Sequence, residues 1–284
     1  MVGSPAKKIA AAIAAFTLVA CASAGARDRT GAYYRDLSAS LQAAGLMRTE
    51  VEAADAAYSN RDLAENFVEI ALYTEYDAGV EPRRTPAPLT RWETPIRYRV
   101  LGDGATAQDR NELGELAGRL SRLTRLDIRP TNGAANLFVY FLGPEERRDF
   151  IAAWRRTRRD EDSAVFYEAW ANSIDWPCVF QTFTDEGDER TTGALVLIKA
   201  ELEGLYRTSC IHEEVVQALG LANDADHVRP SLFNDDEEFA LMTRHDEDLL
   251  RILYDPRLRP GMTEAEVRPL LPAIVEDLRP GEGS

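Results

Sequence analysis

Between positions 213 and 224 the chain runs Glu213-Glu214-Val215-Val216-Gln217-Ala218-Leu219-Gly220-Leu221-Ala222-Asn223-Asp224. It is the stretch best equipped for chemistry. Glu213 and Gln217 stand one helical turn apart, Glu214 sits beside the first, Gly220 ends the helix, and Asn223 and Asp224 follow it. Glu213, Gln217 and Asn223 offer oxygens that could meet a metal ion, and the Glu214 carboxylate could take up a proton. One charged and two neutral oxygens suit zinc badly, because zinc takes imidazoles with a carboxylate at most. Ca²⁺ or Mg²⁺ fits such donors better if Asp224 or Glu214 joins them, yet both ions activate water less than zinc does. Zinc proteolysis is not expected, and no cofactor is required.

The same residues fit a plainer description. At 100° per residue, Ile211, Val215, Val216, Ala218 and Leu219 share one arc, and Glu213, Glu214 and Gln217 share the other. Any amphipathic surface helix looks like this. His212 has no histidine at 208 or 216, so it reads as a packed residue rather than a ligand. Ser209-Cys210 beside His212 points in different directions at a helix start and makes no nucleophile–base pair. His227 and His245-Asp246 read as solvated loop residues. Asp226-His227 and residues 234–238 read as surface acids that could at most gather Ca²⁺. There is no phosphate-binding glycine loop and no dinucleotide fingerprint.

The elements that must position these groups follow from periodicity. Residues 33–58 read as helical, and Asn60 reads as the N-cap of a helix carrying Leu63, Phe67, Ile70 and Tyr73. The Pro- and Arg-rich stretch 79–89 reads as a linker. Residues 96–101 and 136–142 have strand character, with an amphipathic helix over 107–124 between them. Pro144-Glu145-Glu146 opens a further helix. Strands are expected over 178–183 and 194–200, then the helix bearing the chemistry over about 210–219. An irregular segment (232–242), a helix (246–254) and a short helix with a Thr263–Glu266 capping box complete the chain, with Pro269 and Pro272 limiting the last. The fold class is α/β (α+β): a twisted mixed sheet with helices at both chain ends.

At the N-terminus, Lys7 and Lys8 precede an apolar run that stops at Leu18-Val19-Ala20-Cys21. That run is too short for a permanent span. The pattern resembles a bacterial lipobox and implies lipidation of Cys21 after removal of residues 1–20. An ordinary secretory peptide cut near residues 22–24 is the alternative. Ala22, rather than Asp, after the cysteine implies the outer membrane, periplasmic face. Residues 21–31 then form a tether. Loss of two lysines moves the formal charge from −15 to −17, which repels nucleic acid. The basic run at 155–159 is followed at once by acids and reads as a solvated helix end. Cys178 and Cys210 remain, best read as one disulfide in an oxidising compartment, with two buried thiols as the alternative.

With Gly220 as anchor, residues 213–223 resemble the zinc-protease pattern H-E-x-x-H-x-x-G-x-x-H with every imidazole replaced. The strand before the helix, placed as a cleft edge, and Leu241-Met242, at the place of a Met-turn, are similar to a metzincin-type metallopeptidase. The motif E-E-x-x-Q-x-L-G-L-x-N-D, together with Phe233-Asn234-Asp235 and Leu253-Tyr254-Asp255-Pro256, resembles the family named domain of unknown function 2927. The likeness spans about residues 60–262. It does not explain residues 31–60, and the organisation read along the chain is a helical segment at 32–78, a metzincin-like domain at 90–262 and a helical tail at 263–284. The likeness implies a lipid-anchored, non-catalytic module whose cleft (Glu213, Glu214, Gln217, Asn223, Asp224, with Met242 beneath) holds a peptide or envelope partner by strand addition. The alternative is a hydrolase working through an oxygen-ligand metal or a Glu214-activated water.

Overall fold

A computed structural model describes residues 29–76, 82–157, 161–185, 187–234 and 236–281. The leader, Cys21 and most of the tether lie outside the described residues. The described chain begins with α1 (residues 29–43), α2 (Asn60–Ala71) and the antiparallel pair β1 (Tyr73–Tyr76) and β2 (Pro82–Pro86). Then come β3 (Arg91–Trp92), β4 (Ile96–Leu101), α3 (Ala107–Thr124), β5 (Ile128–Pro130) and β6 (Leu137–Leu142). The pair α4 (Pro144–Thr157) and α5 (Glu161–Asn172) leads into β7 (Cys178–Thr184) and β8 (Arg190–Lys199). Last are α6 (Gly204–Gln217), α7 (Arg244–Leu253), α8 (Glu264–Val267) and α9 (Leu271–Leu278).

The near-continuous apolar runs of β6 and β8 require cover on both faces, and the sheet supplies it. β5, β4, β6 and β8 pair in parallel in that order, β3 runs parallel to the start of β8, and β7 pairs antiparallel with β8. Along β8, Ala194, Val196 and Ile198 enter a large core with α2, α3, α6 and α7. Leu195 and Leu197 enter a second core with Trp154, Tyr167 and Trp170 from α4 and α5. The α/β expectation is met, and the N-terminal helices share the main core with the sheet. The disulfide also forms: Cys178 on β7 is bonded to Cys210 in α6, with Cα atoms 5.9 Å apart.

Several local readings are corrected. The helix expected over 33–58 stops at residue 43, because Gly45 (φ 82°) and Met47 (φ 54°) take left-handed backbone. Beyond them the chain runs extended and docks by main-chain hydrogen bonds, Met47 N to Glu237 O (2.8 Å), Arg48 N to Glu238 O (2.7 Å) and Arg244 N to Val51 O (2.7 Å). Ser59, not Asn60, caps α2, in a reciprocal box with Asp62. The supposed linker contains β2, held because the Arg84 guanidinium lies 3.3 Å from the Tyr73 ring centroid and bonds Glu69. Pro272 does not stop the chain from becoming helical. It sits in the first turn of α9, where a missing N–H costs nothing.

Candidate functional site

The helix α6 starts at Gly204, six residues before the expected start, so Cys210 lies mid-helix. Its apolar arc is buried as expected, but the opposite face is not solvated. Glu214 is 5% exposed, Gln217 3% and Asn223 2%, while Glu213 and Asp224 are half-buried. Beyond the helix end, at Asn223, the cover comes from α2. Asn223 accepts no solvent role: its Nδ2 donates to Glu69 O (3.0 Å), and its backbone N–H bonds Ile70 O (3.1 Å) at the end of that helix. Gln217 Nε2 donates to both carboxylate oxygens of Asp224, each at 2.9 Å. Met242, fully buried, donates its N–H to His212 Nδ1 (3.4 Å) and accepts from Arg119 at its carbonyl (3.1 Å).

The candidate ligands thus act as connectors. Both amides point their donors at protein oxygens, and Asp224 already accepts from Gln217. Among the described residues no group of three or more His, Cys, Asp or Glu could hold a metal ion. The set holds no imidazole or thiolate for zinc, and Asp224, the carboxylate that Ca²⁺ or Mg²⁺ would need, already accepts from the Gln217 amide. Cys210, being bonded, offers no thiolate.

Gly220 explains why the frame needs a glycine. Its φ is 118°, and a Cβ there would run into the Thr90 carbonyl oxygen. The approach brings Trp92 Nε1 within 2.8 Å of Ala218 O. Tyr254 closes the end of the helix, donating its hydroxyl to Leu219 O (3.0 Å), while Arg91 donates to the Leu253 (2.7 Å) and Asp255 (3.1 Å) carbonyls. Burial pushes the Tyr254 phenol well above its ordinary pKa. In the Phe233-Asn234-Asp235 stretch, Asn234 donates to the Asp226 and Val228 carbonyls, and Asp235 lies outside the described residues. Gly220, Trp92 and Tyr254 converge on the C-terminal end of α6, and Asn234 pins the loop that follows it.

That convergence coincides with a family match: a model for proteins of unknown function, DUF2927, covers residues 60–273. The chain belongs to the DUF2927 family. No curated protein and no solved structure matches it. The DUF2927 match opens at the first residue of α2 and ends inside α9, so α1 and the extended segment up to Ser59 lie outside it.

Within the DUF2927 region three readings are corrected. The strand before α6 is not a cleft edge: β8 is flanked by β6 and β7, so no peptide can add to it, and the edge strand on that side is β7. His245 and Asp246 are not solvated. Both are fully buried, with His245 Nε2 3.0 Å from Asn66 Nδ2. Asp246 accepts from Ser231 Oγ (2.5 Å), Leu232 N (3.2 Å), Thr243 N (2.7 Å) and Thr243 Oγ1 (2.9 Å). The acids after Asn234 do not form one cluster either. Glu238 binds Arg48 and Arg229, whereas Glu237 is half-buried against the Tyr206 hydroxyl, and its desolvation raises its carboxyl pKa. Spacing could not reveal the buried polar hub at Asp246. Its capping box with Thr243 was the available signal.

A cavity of about 690 Å³ opens elsewhere, between residues 51–58, α7 and the end of α9, and none of the candidate ligands lines it. It is bordered by Arg244, Arg251 and Arg279, cations in a chain of formal charge −15.

Proposed function

We propose that this DUF2927 protein is a non-catalytic binding module of the bacterial cell envelope, anchored through lipidated Cys21 at the periplasmic face of the outer membrane. In this reading α6 descends from a metzincin-type active-site helix, and its metal positions now hold the fold together. The observation that carries it is the Gln217–Asp224 and Asn223–Glu69 pairing. With no imidazole among them, and with these amides and Asp224 already bonded to protein groups, the positions offer a hydrolytic zinc no strong ligands, and Glu214 has no electrophile to serve. The Cys178–Cys210 disulfide supports an oxidising compartment. Retained function is then recognition of a peptide or envelope partner.

The test reconstructs the metal site. The full chain purified without added metal should contain no stoichiometric ion and should cleave no peptide. The triple variant Glu213→His/Gln217→His/Asn223→His should take up one equivalent of zinc. A folded triple variant that ignores zinc would remove the metallopeptidase ancestry. A stoichiometric ion in the parent, lost in Gln217→Ala, would favour the hydrolase. Metabolic labelling with a fatty acid, abolished by Cys21→Ala, checks the anchor.

A further inference from the structure

The arginine-bordered cavity is independent of α6 and has the features of a ligand site. Its volume, about 690 Å³, lies within the range of small-molecule pockets, roughly 300–1,000 Å³. The charged groups lining it are Arg244, Arg251, Arg279, Asp248 and Glu52, and Glu247 behind Arg244 and Arg251 is matched by Arg119, which leaves a local balance of one positive charge. The rest of the chain is strongly acidic, which makes this balance a local exception.

The cations are held in place from behind. Asp248, 4% exposed, accepts from Arg251 Nη1 (2.7 Å) and from the Tyr58 hydroxyl (3.0 Å). Glu247 accepts from Arg251 Nη2 and Arg244 Nη1, both at 3.0 Å. The Arg279 guanidinium lies 4.2 Å from the Tyr58 ring centroid. A guanidinium has five N–H donors, so among the described residues these bonds leave Arg251 three and Arg244 four for a ligand or water. Groups oriented before binding lose less freedom on binding, which favours bidentate oxyanion recognition.

We infer that this cavity binds the terminal carboxylate of a short peptide. One net positive charge matches a monoanion, whereas a phosphate dianion would be over-charged for it and repelled by the surrounding acids. Val51, 42% exposed, and Leu278 supply apolar wall for an aliphatic side chain. The remaining arginine donors match peptide carbonyls, and a plain alkyl acid would leave them unmet. The wall from Val51 to Tyr58 and the end of α9 from Leu278 both lie outside the family match, so the site belongs to this chain's own extensions folded against α7.

The test is calorimetric titration of the full chain with acetyl-Ala-Ala-Leu as free acid, as C-terminal amide, and against octanoate and inorganic phosphate. The free acid should bind, and the amide should bind at least roughly tenfold more weakly. Arg244→Gln, a half-exposed position, and Ala57→Trp, which puts a bulky apolar side chain at a small lining residue, should each weaken the acid by a similar factor while melting like the parent. Equal binding of acid and amide, no binding of the acid at millimolar concentration, or unaltered binding in both variants would overturn the inference. So would displacement of the peptide by equimolar phosphate or octanoate. None of these results bears on zinc uptake by the histidine-restored helix, so the two readings stand or fall separately.

Discussion

Lys199 ends the central strand β8 with its side chain in the protein interior, at 1% exposure. Its Nζ donates to the Ser173 carbonyl, and the Arg147–Glu201 pair lies close by. Two cations therefore share one buried carboxylate. Burial first, and Arg147 second, lower the Lys199 pKa from 10.5 to about 8. Below pH 8 the lysine is charged in folded and unfolded chains alike, and the folded state carries the whole penalty. Between pH 8 and 10.5 the unfolded chain binds more protons, so stability rises with pH. The gap from 10.5 to about 8 is worth about 3 kcal/mol, of which about 2 kcal/mol should be regained between pH 7 and pH 9.5. Lys199→Met should remove that rise. At pH 7 it should stabilise the protein by about 2 kcal/mol, after roughly 1 kcal/mol is deducted for the lost Ser173 hydrogen bond. The assay is urea unfolding of parent and variant at intervals from pH 7 to pH 9.5. Higher pH is avoided because Tyr34 and Tyr206, raised by burial, resist ionisation in the folded state and reverse the slope. Parallel pH profiles, or a variant less stable than the parent at pH 7, would refute the reasoning.

Other perturbations separate structural tasks. Cys178→Ala/Cys210→Ala opens a link between residues 32 apart and should lower stability by about 4 kcal/mol, read as a drop in urea midpoint. Glu201→Gln strands the Arg147 guanidinium, whose side chain is 7% exposed, and should cost about 3–5 kcal/mol. The double change Arg147→Met/Glu201→Leu should cost much less by the same measurement, because it leaves no unpaired charge. Gly220→Ala combines a φ of 118° with a collision against Thr90, so a loss of about 3 kcal/mol or more is expected in thermal melts, with separation of β3 visible by hydrogen exchange.

Much of the fold was legible because its strands are apolar on both faces and its helices carry strong periodicity. The helix read over 107–124 is α3, residue for residue, since Thr106 and Asp109 cap it unambiguously. The pairing of Cys178 with Cys210 followed from compartment and number alone. The environment of α6 was less legible. A polar helix face looks the same in sequence whether water or protein covers it, and here α3 packs on α6 while α2 holds Asn223 from more than a hundred residues away. The same limit hid His245 and Asp246, whose polarity suggested solvent while partners at Asn66 and Ser231 allowed complete burial. Edge and centre in the sheet also could not be told apart, because pairing order is a long-range property that β8's composition does not encode.

The extended segment after α1 docks onto the loop before α7 through main-chain amides, from Met47 to Glu237 and from Val51 to Arg244. Side chains join that seam, with Met47 buried in the core and Arg48 paired with Glu238, so the path of the chain is fixed twice over. The cavity wall from Val51 to Tyr58 is hung on this seam, and loosening the Met47–Glu237 pairing should reshape the cavity without touching any of its arginines.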